Sequence, residues 1–167
     1  MRLDRFTIKS QEVIQKAQAL AAERGNQQIE PEHFLAVMLG DREGIAVSML
    51  RQLGASPDRI AAETLRAIER LPRVGGAGMG ESYLSNRGKA LLEAAFTEAG
   101  QMKDEYVSIE HIFLSLLNEK GGEAGKILAQ AGVTRDAFFK VLKEVRGTQR
   151  ITDPNPEEKY QALQRFS

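Results

Sequence analysis

Apolar residues along this chain recur at spacings of three and four, and turn residues interrupt them at short intervals, as in amphipathic helices sharing one core. The first run puts Val13, Ile14, Ala17, Leu20 and Ala21 on one face, between Thr7, a good N-cap residue, and the stop signal Gly25-Asn26. A helix is therefore expected over residues 7–24. A second is expected from Pro31, whose fixed φ and missing N–H suit a first helical turn, and it carries Phe34, Leu35, Met38 and Leu39. A third fits between Gly44 and Gly54. Ser56-Pro57-Asp58 combines an N-cap, a first-turn proline and an acid that complements the helix dipole, and it opens a fourth helix running to about residue 70.

The same plan then recurs. Subtracting the position of His33 from that of His111 gives a shift of 78 residues. At that shift, without a gap, Ala17 meets Ala95, Glu32 meets Glu110, His33 meets His111, Leu39 meets Leu117, Leu50 meets Leu128 and Gly54 meets Gly132. One register across the whole unit marks a tandem repeat, so the second set of helices is expected over residues 85–103, 108–118, 122–131 and 134–145. Nothing in it reads as a strand. The fold class is all-α: two tandem, pseudo-symmetric four-helix repeats packed into one domain over residues 1–147, with repeat one at 1–70 and repeat two at 85–147. Between them, residues 71–84 read as a linker, glycine-rich over 75–80 and expected to be a flexible surface connection. Residues 148–167 read as a further linker in which Asp153-Pro154-Asn155-Pro156 forbids continuous helix, followed by the start of a helix that belongs to a next domain.

Composition narrows the function classes. With 42% hydrophobic, 28% charged and 6% aromatic residues, the chain has the make-up of an ordinary helical globular protein. It has no cysteine, so disulfides and thiolate metal sites are excluded and a reducing compartment, by default the cytoplasm, is expected. The opening residues lack the apolar run of a secretory signal, and no window approaches a membrane span. The balance of 23 basic and 23 acidic residues gives no net field to attract nucleic acid or an anionic membrane, so neither is an expected partner.

Candidate chemistry is sparse. Gly122-Glu123-Ala124-Gly125-Lys126 superficially invites a phosphate-binding loop, but Lys120 and Ile127 stand where that loop needs a glycine and a hydroxyl residue, and no strand precedes it. The glycines of residues 75–80 lack the strand and the acidic residue of a dinucleotide site. The two histidines stand at equivalent repeat positions as Glu32-His33 and Glu110-His111, which suits a helix-start role near the repeat interface; a metal site formed by bringing the pairs together is the competing reading. No serine or cysteine sits in a nucleophile setting, so no catalytic and no metal residue is assigned. The segment Lys103-Asp104-Glu105-Tyr106-Val107-Ser108-Ile109-Glu110 places acids and a tyrosine in the turn between two helices, where a recognition edge and an ordinary capped turn are both open readings.

The paired motifs Ile29-Glu30-Pro31-Glu32-His33-Phe34-Leu35 and Val107-Ser108-Ile109-Glu110-His111-Ile112-Phe113 resemble the signature of the Clp N-terminal repeat domain of AAA+ unfoldases. The resemblance extends over the chain, and the opening Met1-Arg2-Leu3-Asp4-Arg5-Phe6-Thr7, the linker 71–80, the segment 104–108 and the tail 153–163 are similar to the ClpB disaggregase branch. It implies a non-catalytic N-terminal domain that engages unfolded or aggregated polypeptide for a hexameric ring working with the DnaK chaperone system in stress response and refolding. It also implies that ATP and magnesium belong to ATPase modules outside this chain, with no cofactor here. The same resemblance associates Thr7, Asp104 and Glu110 with substrate engagement and places an apolar substrate groove at Ala94, Glu98 and His111, where some relatives carry larger aliphatics. The alternative it leaves open is an adaptor-binding regulatory domain of a Clp unfoldase; a hydrolase using His33 or His111 would need a nucleophile and base that the sequence does not offer.

Overall fold

The computed structural model describes residues 3–74, 81–147 and 150–157. A short 3-10 turn over Leu3–Arg5 leads into α1 (Ile8–Glu23), β1 (Gln28–Ile29), α2 (Pro31–Gly40), α3 (Ile45–Gln52) and α4 (Pro57–Glu69). The second repeat follows as β2 (Tyr83–Leu84), α5 (Asn86–Gln101), α6 (Ile109–Asn118), α7 (Glu123–Gln130) and α8 (Arg135–Arg146). Hydroxyl caps start four of the helices: Thr7, Ser56, Ser85 and Thr134 each accept the amide three residues on, which satisfies a donor that the first turn would leave orphaned. Glycines with left-handed φ, such as Gly54 and Gly132 at +80° each, let the chain turn out of α3 and α7 where an L side chain would be strained.

The two most apolar helices lie at the centre. Phe34, Leu35, Met38 and Leu39 of α2 are buried, and every residue of α6 from Ile109 to Leu116 is buried, so neither helix could stand on a surface. Contacts between the repeats run from α2 to α5, α6 and α7, from α3 to α6 and α8, and from α4 to α7. One hydrophobic cluster therefore spans both repeats. Within it, Phe113 stacks on Phe138 with centroids 4.6 Å apart, and Phe6 meets Phe96 edge-on at 5.0 Å.

Two short parallel pairings depart from the purely helical expectation. Gln28 and Ile29 pair with Tyr83 and Leu84, and Phe6 pairs with Val107. The repeat shift carries Ile29 onto Val107 and Phe6 onto Leu84, so these are one interaction made twice with the roles exchanged. The bonds follow the symmetry: the Thr7 amide donates to the Val107 carbonyl at 3.0 Å, and the Ser85 amide to the Ile29 carbonyl at 3.2 Å. Each repeat thus lends the segment ahead of its first helix to the other repeat.

The spans expected as linkers are also partly built into the domain. Ser82 is buried and its hydroxyl donates to the Asn26 carbonyl at 2.6 Å, so residues 81–84 belong to the fold; the glycine-rich residues 75–80 lie outside the described residues. Of the tail, residues 150–157 lie against the second repeat and the start of α1, with Ile151 and Glu157 buried, while residues 158–167 lie outside the described residues.

Candidate functional site

The two Glu-His pairs build equivalent helix starts. The Glu30 amide donates to His33 Nδ1 at 2.8 Å, and the Ser108 amide donates to His111 Nδ1 at 2.9 Å. Because Nδ1 accepts in both, the ring proton sits on Nε2, which donates to Asn26 Oδ1 at 2.9 Å in repeat one and to Asp104 Oδ2 at 2.7 Å in repeat two. Burial holds both imidazoles below the ordinary range, His33 at about 4, so both stay neutral and both caps stay closed.

The repeats then diverge in charge. At the position of Asn26 the second repeat has Asp104, and at the position of the buried Ile68 it has Arg146. The Arg146 guanidinium grips the Asp104 carboxylate through both nitrogens, at 2.6 and 3.0 Å. Burial pushes Asp104 up, but bonds from His111, Arg146 and the Ile151 amide outweigh it and bring its pKa down to about 2. An internal comparison of positions 26 with 104 and 68 with 146 would have exposed this pair from sequence; Arg146 was missed because a terminal-turn arginine reads as a solvated helix end.

Beside it stands a second cluster. The Thr7 hydroxyl, which caps α1, donates to Glu157 Oε1 at 2.7 Å, and the Ile109 amide donates to the same oxygen at 3.3 Å. Glu110 is fully buried next to it with neither carboxylate oxygen hydrogen-bonded among the described residues. Burial and then the Glu157 carboxylate push Glu110 up to about 8, against the pull of Arg146. Its counterpart Glu32 is equally buried but pairs with Arg87 at 3.0 Å, and Arg87 also holds Glu119 at 2.7 Å. Gly122 makes room for that grouping, since a Cβ there would lie 2.0 Å from Arg87 Nη2.

The repeat shift puts Lys9 where Arg87 stands, and there the space is open. A shallow cleft has Val13, Val37, Met38, Ile45, Ala46 and Ile109 along its walls. Lys9, Glu12 and Lys16 of α1, Asp41 at the end of α2 and Glu157 of the tail add charges of both signs to its lining. It suits an apolar side chain carried by a polar backbone. Among the described residues no cluster of His, Asp and Glu could hold a metal ion, and no helix is long and apolar enough to cross a membrane.

Of the residues singled out from sequence, Thr7, Asp104, Glu110 and His111 come together where the start of α1 meets repeat two, with their functional groups buried. Glu98 is also buried, but Arg135 takes both its oxygens at 2.7 and 2.9 Å. Ala94 is exposed on α5. Ala94, Glu98 and His111 do not line the cleft, whose walls come from α1, α2, α3 and the turn between α2 and α3, with Ile109 and Glu157.

The domain is similar to known proteins throughout its length. A ClpB chaperone of Nitratidesulfovibrio vulgaris is 37% identical over 99% of this chain, which covers 20% of that protein. The chain thus spans about a fifth of the length of the curated relatives it matches. The crystal structure of the Hsp104 N-terminal domain from Candida albicans superposes with a TM-score of 0.79 at 25% identity, covering 91% of this chain and 98% of that one. A ClpV N-domain in complex with a VipB peptide shares the fold, with a TM-score of 0.67 at 19% identity, covering 84% of this chain and 86% of that one. Residues 5–131 match the family described as the Clp repeat (R) N-terminal domain, and the chain belongs to that family.

Proposed function

We propose that this domain captures unfolded or aggregated polypeptide and hands it to an ATP-driven disaggregase ring of the ClpB type. Membership of the Clp repeat family over residues 5–131 carries the reading. The cleft supports it: apolar walls with a rim of both charges offer adaptable contact to many sequences and no deep specific pocket. Ile8 and Leu3, 46% and 48% exposed, extend the apolar surface at the start of α1. Weak binding suffices if six such domains stand on one ring, because linked sites raise the effective concentration. The domain does no chemistry itself; ATP, magnesium, hexamer formation and cooperation with the DnaK system belong to the rest of a cytoplasmic parent protein.

The ClpV N-domain complex favours a second reading, in which the same fold docks one dedicated partner peptide or adaptor. An NMR titration separates the two. Reduced, carboxymethylated α-lactalbumin should shift residues around Val13, Met38 and Ile45, while native α-lactalbumin should shift none. Silence with both forms would count against capture and leave adaptor docking as the better account.

A further inference from the structure

Repeat two relies on a carboxylate that repeat one supplies from within. In repeat one the N-cap of α2 is Glu30, whose carboxylate accepts the Ser85 hydroxyl and caps the helix. The repeat shift puts Ser108 at the place of Glu30 and Thr7 at the place of Ser85. The Ser108 hydroxyl is engaged with His111 Nδ1 at 3.0 Å, and Thr7 turns instead to Glu157, 150 residues further along the chain. Glu157 therefore fills from outside the repeat the position that Glu30 fills as an integral part of α2.

The segment that brings it, residues 150–157, is anchored by the bonds that Glu157 accepts from Thr7 and Ile109 and by three backbone amides. The Ile151 amide donates to Asp104 Oδ1 at 2.9 Å, the Glu105 amide donates to the Ile151 carbonyl at 2.9 Å, and the Ile8 amide donates to the Pro154 carbonyl at 2.8 Å. Ile151, Pro156 and Glu157 are buried, whereas Arg150, Thr152 and Pro154 are more open to solvent. Docking also forces two carboxylates together out of water. Both oxygens of Glu110 and Oε2 of Glu157 find no hydrogen-bond partner among the described residues. The charged groups acting on the pair are Lys9 from α1, Arg146 from α8 and Asp104 from the turn before α6, and Arg146 is already committed to Asp104. A pair so placed is comfortable only while it holds a proton.

We propose that residues 150–157 form a releasable strap that covers the Thr7–Asp104 edge of repeat two, and that the buried Glu110–Glu157 pair lets it go on losing its proton. Release bares Thr7, the Ile8 amide and Asp104. That this matters for capture rests on the function proposed above; the docking equilibrium itself does not.

The direction with pH follows from linkage. Glu110 titrates at about 8 with the strap in place, and release removes the Glu157 carboxylate and lets water reach it, both of which lower that value, so the docked state binds more protons. Docking weakens as pH rises towards about 8 and changes little above that.

Amide hydrogen exchange on the whole 167-residue chain at pH 5.5 and 8.5, corrected for intrinsic rates, reads the strap directly. Protection at the Glu105 and Ile151 amides should fall by about tenfold or more at the higher pH. In Glu110→Gln, which leaves one buried carboxylate in place of two, protection should fall far less with pH. In Ile151→Asp it should be low at both pH values while Met38 in α2 remains protected, which reports an intact fold. Equal wild-type protection at both pH values, or an equal fall in Glu110→Gln, would overturn the proposal. Binding of reduced, carboxymethylated α-lactalbumin at pH 7 then addresses the consequence, with Ile151→Asp expected to bind several-fold more tightly than wild type. A strap that opens with pH while neither protein binds the unfolded chain would sustain the latch and remove the capture reading.

Discussion

The residue scale is where the two repeats part company. Both use a neutral histidine to close a helix start, but repeat two holds it with Asp104 gripped by Arg146, where repeat one has Asn26 and, at the position of Arg146, the buried Ile68. A buried ion pair gains little over a well-packed neutral pair, because removing both charges from water costs nearly what their attraction returns. Breaking it from one side is different, since it strands a buried charge. Arg146→Ile alone should therefore destabilise the domain by about 3–5 kcal/mol in urea unfolding. The double variant Asp104→Asn, Arg146→Ile grafts the pair of repeat one into repeat two and should recover most of that loss. The Ile151 amide has one acceptor on Asp104, so the double variant should also hold the tail less firmly. Equal stability of the single and double variants would mean that the ion pair does not set the local energetics.

At the scale of the element, much was legible because its causes are local. The hydroxyls of Thr7, Ser56, Ser85 and Thr134 cap the helices expected to start there, and the third helix ends just before the left-handed Gly54. The two-residue strands were not legible: a pair of residues has no period, and what makes Gln28 and Ile29 extended is Tyr83 and Leu84 beside them. The partner of the Thr7 hydroxyl was hidden for the same reason, since Glu157 reaches it from the far end of the chain and reads locally as a solvated acid after a proline. Tertiary closeness also gives two glycines of α5 opposite meanings. A Cβ at Gly88 would stand 2.7 Å from the Ile29 carbonyl, where backbone cannot yield, whereas at Gly100 it would meet nothing within 4 Å. Gly88→Ala should cost about 1–3 kcal/mol through overpacking of α5 on β1. Gly100→Ala should gain about 0.5–1 kcal/mol, the helix-propensity difference, so thermal melts of the two variants should move in opposite directions.

At the scale of the whole molecule, tandem repetition in sequence does not mean two independent units in space. Helices α2 and α6 are apolar nearly all round, and each is covered partly by the other repeat. The segments ahead of α1 and α5 cross over, so Phe6 is fully buried against Phe96 of the other repeat and the Ser85 hydroxyl completes the Glu30 cap. A half on its own would expose the apolar flank of its central helix and lose both a strand partner and a cap. Residues 1–74 and 81–167 produced as separate chains should each lack a cooperative unfolding transition, since neither can bury enough apolar surface alone. Mixed, they should associate one to one and regain the helical signal and a single melt, because the contacts described between the halves do not need residues 75–80 to connect them. Size-exclusion chromatography with circular dichroism reads both results. Halves that fold separately would mean that the exchange is an embellishment on two stable bundles. Reconstitution from unfolded halves would mean that the exchange makes one domain of them, and that the edge bearing Thr7 and Asp104 exists only where the two repeats meet.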